Sequence, residues 1–148
     1  MRILEARGWL AGPLLLVALL LAGCENPVGD GGEHPNGIVV LDLQTNTVVA
    51  SYTHADRLRD GILTIPRGTE TRFRVMLTTR GGGRIAVDGL EYSLREPTVV
   101  LGTVASARLA TTDQIGVTGR VGGTTTLTLP VWHAGHHEFD AFVNLIVP

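Results

Sequence analysis

From residue 37 onward, apolar and polar positions alternate with period two over most of the chain, the pattern of strands with one face buried. Ile38 to Leu43, a turn over Gln44-Thr45-Asn46, and Thr47 to Tyr52 predict a first hairpin. His54 to Asp60 reads as a loop ending in an Asp60-Gly61 turn. Thr69 to Leu77 sets Phe73, Val75 and Leu77 against Arg72 and Arg74, and Leu90, Tyr92 and Leu94 alternate with Glu91, Ser93 and Arg95. Shorter strands are expected at Thr98–Leu101, Ala107–Ala110 and Ile115–Val117. The clearest pair closes the chain. Thr124 to Trp132 turns Leu127, Leu129 and Val131 inward, and Phe139 to Val147 turns Phe139, Ala141, Val143, Leu145 and Val147 inward. Pro130 lacks an N–H for a ladder, which predicts an edge strand or a bulge there. Seven to nine short strands without an amphipathic helix make the fold all-β: an antiparallel sandwich, with a barrel as its rival.

The first 23 residues follow a different rule. Arg2 and Arg7 precede an apolar run from Leu10 to Ala22, 13 residues long. As a helix it would reach roughly 20 Å at about 1.5 Å per residue, short of a hydrocarbon core of roughly 30 Å. This is the anatomy of an export signal. Its last residues, Leu21-Ala22-Gly23-Cys24, resemble the lipobox of bacterial lipoproteins. The resemblance implies a diacylglyceryl group on the Cys24 sulfur, cleavage before Cys24, and acylation of the freed amine by a chain such as palmitate. At about 0.8 kcal/mol per buried CH₂, such chains hold a protein on a membrane. The alternative for Cys24 is a free thiol beside an ordinary signal peptide. Glu25 stands where an aspartate would favour inner-membrane retention, so the same resemblance points to the outer membrane of a diderm envelope.

Residues 24–36 are then the lipidated cysteine and a tether, ENPVGDGGEHPN, whose Gly and Pro content cannot offset the entropy of ordering. As a coil its twelve residues reach roughly 20 Å, from about 5–6 Å times the square root of length. Residues 37–148 form a single domain. Cys24 is the only cysteine, so stability must come from packing and pairing and not from disulfides. From Cys24 onward ten arginines face thirteen acidic residues, with no lysine, for a net charge of −3. That balance argues against a nucleic-acid partner.

A second resemblance covers about residues 62–147. Ile65-Pro66-Arg67-Gly68-Thr69-Glu70-Thr71 followed by Phe73-Arg74-Val75, then Pro97-Thr98-Val99-Val100, then Gly119-Arg120-Val121-Gly122-Gly123-Thr124-Thr125-Thr126-Leu127-Thr128, are similar to a bacterial immunoglobulin-like domain. The resemblance implies an immunoglobulin-like antiparallel β-sandwich used as an extracytoplasmic adhesive or scaffolding module, with a protein partner and no catalysis. The chain departs from that family in lacking a core Trp on the third strand, where Tyr92 stands in, and in its N-terminal hairpin and histidine-rich final hairpin.

That final hairpin holds the one chemically suggestive cluster, His133, His136, His137, Glu138 and Asp140, within eight residues. A turn at Ala134-Gly135 would bring His133 and His136 together, and imidazoles with a carboxylate suit zinc, copper or nickel. In extended backbone the neighbours His136 and His137 point to opposite faces, so at most two of the three histidines converge. The alternative is a solvated hairpin tip with Trp132 packed at the sandwich end. Two readings of function follow: a non-enzymatic, membrane-anchored envelope lipoprotein for protein interaction or scaffolding, or an extracytoplasmic metal-binding lipoprotein. No nucleophile elbow, phosphate loop or dinucleotide fingerprint is present, and the glycines at 81–83 lack the lysine of a phosphate loop. Ser51, Ser93 and Ser106 read as ordinary strand and loop residues. Carbohydrate binding is disfavoured by the few aromatics, most of which the core is expected to need.

Overall fold

The computed structural model describes residues 34–148. Cys24, the leader 1–23 and most of the tether lie outside the described residues. Residues 33–148 form one compact unit with its own core. It is an all-β sandwich of twelve strands: β1 (Pro35–Asp42), β2 (Val48–Thr53), β3 (Leu58–Gly61), β4 (Leu63–Thr64), β5 (Glu70–Thr79), β6 (Arg84–Ile85), β7 (Tyr92–Leu94), β8 (Thr98–Val99), β9 (Ala105–Leu109), β10 (Gln114–Gly119), β11 (Gly123–His133) and β12 (His136–Val147). Seven of them have five residues or more.

The first sheet runs β3-β2-β1-β5-β10-β9, with β6 also on β5; the second runs β4-β12-β11-β7, with β8 also on β11. All ladders are antiparallel except β4 on β12. The order β1-β5-β10-β9 reproduces the A-B-E-D sheet of an immunoglobulin-like sandwich, and β7-β11-β12 its C-F-G sheet. The N-terminal hairpin, which lies outside the sequence resemblance, thus supplies the A position itself, and β2 and β3 extend the sheet beyond it. Gly68, at φ +75°, makes the turn into β5, and its N–H donates to the Gly119 carbonyl at 2.9 Å.

Period-two alternation fills the space between the sheets. Ile38 and Val40, Phe73, Val75 and Leu77, and Ile115 and Val117 meet Leu127, Leu129, Val131, Phe139, Val143 and Leu145 in one core. Tyr92 is buried in it on β7, at the place where the family carries Trp. Gly37 has no room for a side chain, because a Cβ would fall on the Tyr52 carbonyl oxygen and 3.1 Å from the Thr53 Cα.

Four expectations change. His54–Asp60 is not a loop throughout: a tight turn with Arg57 at φ 52° returns the chain along β2, so Asp60-Gly61 lies in β3, where Gly61 pairs with Ala50. Leu90 is 88% exposed and precedes its strand. The Asp88 carboxylate accepts from the N–H groups of Leu90, Glu91 and Tyr92 at 2.8, 2.9 and 3.1 Å, building a turn that lifts Leu90 off the sheet. Those bonds, that of Leu90 first, hold the Asp88 carboxyl below its usual range. Pro130 lies in a strand flanked on both sides. Its carbonyl accepts from Arg95 N at 3.0 Å on the side where β7 pairs with residues 131–133 and β8 with residues 127–128, so the missing donor falls in the gap between two short partners. Finally, β1 begins at Pro35, inside the stretch assigned to the tether.

Candidate functional site

The final hairpin closes as expected. Ala134 and Gly135, at φ 46° and 83°, form a two-residue turn with both central residues left-handed, and His133 pairs with His136 across it. One irregularity decides where the other side chains go. Val131 pairs with Phe139 and Trp132 with His137, so Glu138 is an extra residue on β12. Without that bulge, residues three apart on a strand would face opposite ways. With it, His137 and Asp140 share the outer face, and His137 Nε2 lies 3.0 Å from Asp140 Oδ1.

The five predicted metal-ligand candidates therefore divide. His137 and Asp140 sit on the outer face beside Trp132. His133 lies at the inner edge, its ring stacked on Tyr92 at 4.7 Å and edge-on to His34 at 6.2 Å, with Nε2 3.8 Å from Glu91 Oε1. His136 is exposed at the turn, and Glu138 is exposed at the bulge. Among the described residues no three His, Cys, Asp or Glu side chains come together as one metal-holding group. His54, far away in sequence, stacks on Phe139 at 4.8 Å. All five histidines of the chain thus gather at the end of the sandwich where β1 begins and the β11–β12 turn lies.

The outer face of the second sheet carries a constellation that the sequence reading passed over. Outward positions on β11 are Thr124, Thr126, Thr128, Pro130 and Trp132; on β12 they are His137, Asp140, Phe142, Asn144 and Ile146. Trp132 does not pack at the sandwich end. Its ring lies under the Arg95 guanidinium, 4.8 Å from Cζ to centroid, and meets the His137 ring edge-on at 5.9 Å. Phe142 lies under the Arg59 guanidinium at 5.1 Å, and Arg59 Nη1 donates to Thr126 Oγ1 at 3.3 Å. Arg59 reaches this face from β3 because β2 and β3 curl past β12, where Tyr52 contacts Phe142 edge-on at 5.6 Å. Tyr52, His54, Arg57, Arg59, Asp140 and Phe142 line a hollow of about 440 Å³ at that corner. Of the six aromatics beyond residue 24, Trp132 thus stands outside the core and Phe142 at its margin, packed against it while facing outward. The signal was present in the alternation itself: with Val131 and Val143 inward, Trp132 and Phe142 must face out.

The outer face of the first sheet is built differently. Glu70 accepts from Arg108 Nε at 2.7 Å and from Arg72 Nε at 2.9 Å, and these bonds, Arg108's first, hold its carboxyl below the usual range. Gly116 leaves the room, since a Cβ there would lie 2.7 Å from the Glu70 Cδ. Arg74 Nε stands 3.2 Å from Asp113 Oδ2, a charge contact whose angle falls short of a hydrogen bond. Each of these three arginines thus has a carboxylate within contact distance.

No protein-family model matches the chain, and no curated protein matches it. Among solved structures the chain is similar to parts of the S-layer protein SbsC: domains 4 and 5, at 16% identity and TM-score 0.43 over 57% of this chain and 46% of that one; domains 5–6, at 16% identity and TM-score 0.44 over 58% and 39%; and rSbsC(31-844), at 16% identity and TM-score 0.43 over 58% and 11%. The chain spans less than half the length of each of these structures, and the likeness assigns it neither a partner nor an activity.

Proposed function

We propose that this protein is a non-enzymatic envelope lipoprotein, anchored through acylated Cys24, whose immunoglobulin-like sandwich serves protein interaction or scaffolding. The observation that carries the reading is the outer face of the second sheet. Trp132 stands there outside the core and Phe142 at the core's margin, each under a guanidinium group, and Trp and Arg are among the residue types that dominate binding energy at protein interfaces. The anchor is supported by Leu21-Ala22-Gly23-Cys24 at the end of an apolar leader too short to span a bilayer. Glu25 after the cysteine favours the outer membrane as its destination.

Two measurements test the proposal in a lipoprotein-processing bacterium. Cys24→Ala is expected to abolish acyl labelling and to move the chain out of the membrane fraction; a variant that stays acylated and membrane-bound overturns the anchor. A photo-crosslinking residue at Thr128, on the outer face of the second sheet, is expected to give partner adducts that the same residue at Ser106, outward on the first sheet, does not. Equal adducts from both positions overturn the choice of face.

A further inference from the structure

Resting on that reading, we infer that the outer face of the second sheet recognises an acidic polypeptide segment, laid along β11 between the Arg95 and Arg59 guanidiniums. Both cations stand over an aromatic ring, with Cζ 5.1 and 4.8 Å from the centroids, which holds them on this face and leaves N–H donors for carboxylates. Arg59 spends one donor on Thr126. Neither makes an ion pair with a carboxylate among the described residues, whereas Arg72, Arg74 and Arg108 on the first sheet are each held by Glu70 or Asp113.

The carboxylates near this face in sequence are engaged or turned away. Asp140 is the single acid at the outward positions of β7, β8, β11 and β12, and it is bound to His137. Glu96, next to Arg95 in the chain, makes no ion pair with it, and its charge adds to that of Glu70, the first cause, in raising the pKa of Arg108. Glu91 and Glu138 act on Tyr92, whose phenol is raised by burial first and by their charges next. A chain that is acidic as a whole therefore presents two guanidiniums to a single carboxylate, Asp140, on one sheet face. Thr126, beside Arg59, and Trp132, under Arg95, are six residues apart on β11, or roughly 20 Å at about 3.3 Å per residue, the reach of an extended hexapeptide. Thr128 between them offers a hydroxyl to a peptide backbone, and Asn144, across from Thr126, an amide at the Arg59 end. A guanidinium already occupies a face of each ring, which is why a polypeptide fits better here than a sugar chain that would stack on bare aromatics.

Trp132 is the sole tryptophan beyond residue 24 and gives a direct readout. The probe is a deca-glutamate peptide titrated into residues 33–148, the compact unit with its own core, at low salt. The expected result is a saturable change in Trp132 fluorescence that weakens with added salt, is lost with deca-lysine, and is weakened on the order of tenfold in Arg59→Gln/Arg95→Gln but not in Arg84→Gln. Urea midpoints of the variants equal to that of the parent establish that the fold is intact. No binding, or binding indifferent to the double substitution, overturns the inference. So does polygalacturonate binding with equal strength and the same arginine dependence, which would make the face a site for acidic glycans. If Thr128 adducts form while the peptide fails to bind, the acidic chemistry is wrong and the face assignment stands; if Thr128 adducts are also missing, the interaction reading falls with it.

Discussion

Phe139 and Phe142, three residues apart on β12, test the two-sided construction of the second sheet within one strand. Phe139 is 2% exposed, faces the core and stacks on His54, while Phe142 faces outward under Arg59. Removing the Phe139 ring takes at least about 150 Å² of apolar surface out of the interior, worth about 4 kcal/mol at roughly 25 cal/mol per Å², before any cavity cost. Phe142 is at least about two-thirds covered, so its truncation forfeits about 3 kcal/mol by the same area rule, and solvent fills the space without a cavity. For 115 residues the entropy of unfolding near the midpoint is about 0.24 kcal/mol/K, so Phe139→Ala is expected to lower Tm by about 16 °C, and by more once its cavity is counted, and Phe142→Ala by about 12 °C. Urea denaturation followed by Trp132 fluorescence should give the same ordering with equal m-values. A Phe142→Ala variant as unstable as Phe139→Ala would refute the assignment of faces.

Gly37→Ala is expected to cost more than 2 kcal/mol, because the new methyl meets backbone of β2 that can yield only by opening the β1–β2 ladder; a midpoint within 1 kcal/mol of the parent in urea would contradict the close approach. The carboxyls of Asp42, Glu70 and Asp88 are all held below their ordinary values, Asp42 chiefly by the Thr45 N–H. Their contribution is therefore complete above the unfolded values of 3.8 and 4.5 and is lost as pH falls through the lower folded values, so urea midpoints should drop below about pH 4, and less steeply in Asp42→Asn/Asp88→Asn. Calorimetric titration with Zn²⁺, Cu²⁺ and Ni²⁺ should show no binding that depends on both His133 and His137, which face opposite sides; tight stoichiometric binding lost in each single alanine variant would restore the five-residue site.

Alternation of Phe73, Val75 and Leu77, and of Leu127, Leu129 and Val131, was enough to read two sheets and a shared core, because each strand writes its buried face into its own sequence. Leu90 was misread because alternation carries no trace of a carboxylate, here Asp88, that gathers three backbone N–H groups and bends the chain away. Pro130 was expected at an edge or a bulge, and a bulge does follow at Val131/Trp132, but one strand cannot show that its neighbour is broken into β7 and β8 opposite the missing donor. The histidine cluster was legible as composition and not as geometry: a single inserted residue, Glu138, decides which ring meets which carboxylate. Arg59 was out of reach altogether, since nothing local says that a residue on β3 will cross to the far sheet and cover Phe142.

The broken partner of β11 has a consequence for how this protein can assemble. Along that border an incoming strand finds three paired residues, a gap and two more, while β4 offers two, β3 four and β9 five, with charged Arg59, Asp60 and Arg108 among them. Among the described residues these borders supply no long uninterrupted row of free backbone groups, so growth by adding strands from further copies is hindered there; on β12, which β4 pairs only at Leu145 and Ile146, the earlier residues lie against β2 and β3 without a ladder. At high density, copies that meet at these short, charged borders can crowd together without fusing into a continuous sheet, and the broad outer face of each sandwich stays exposed.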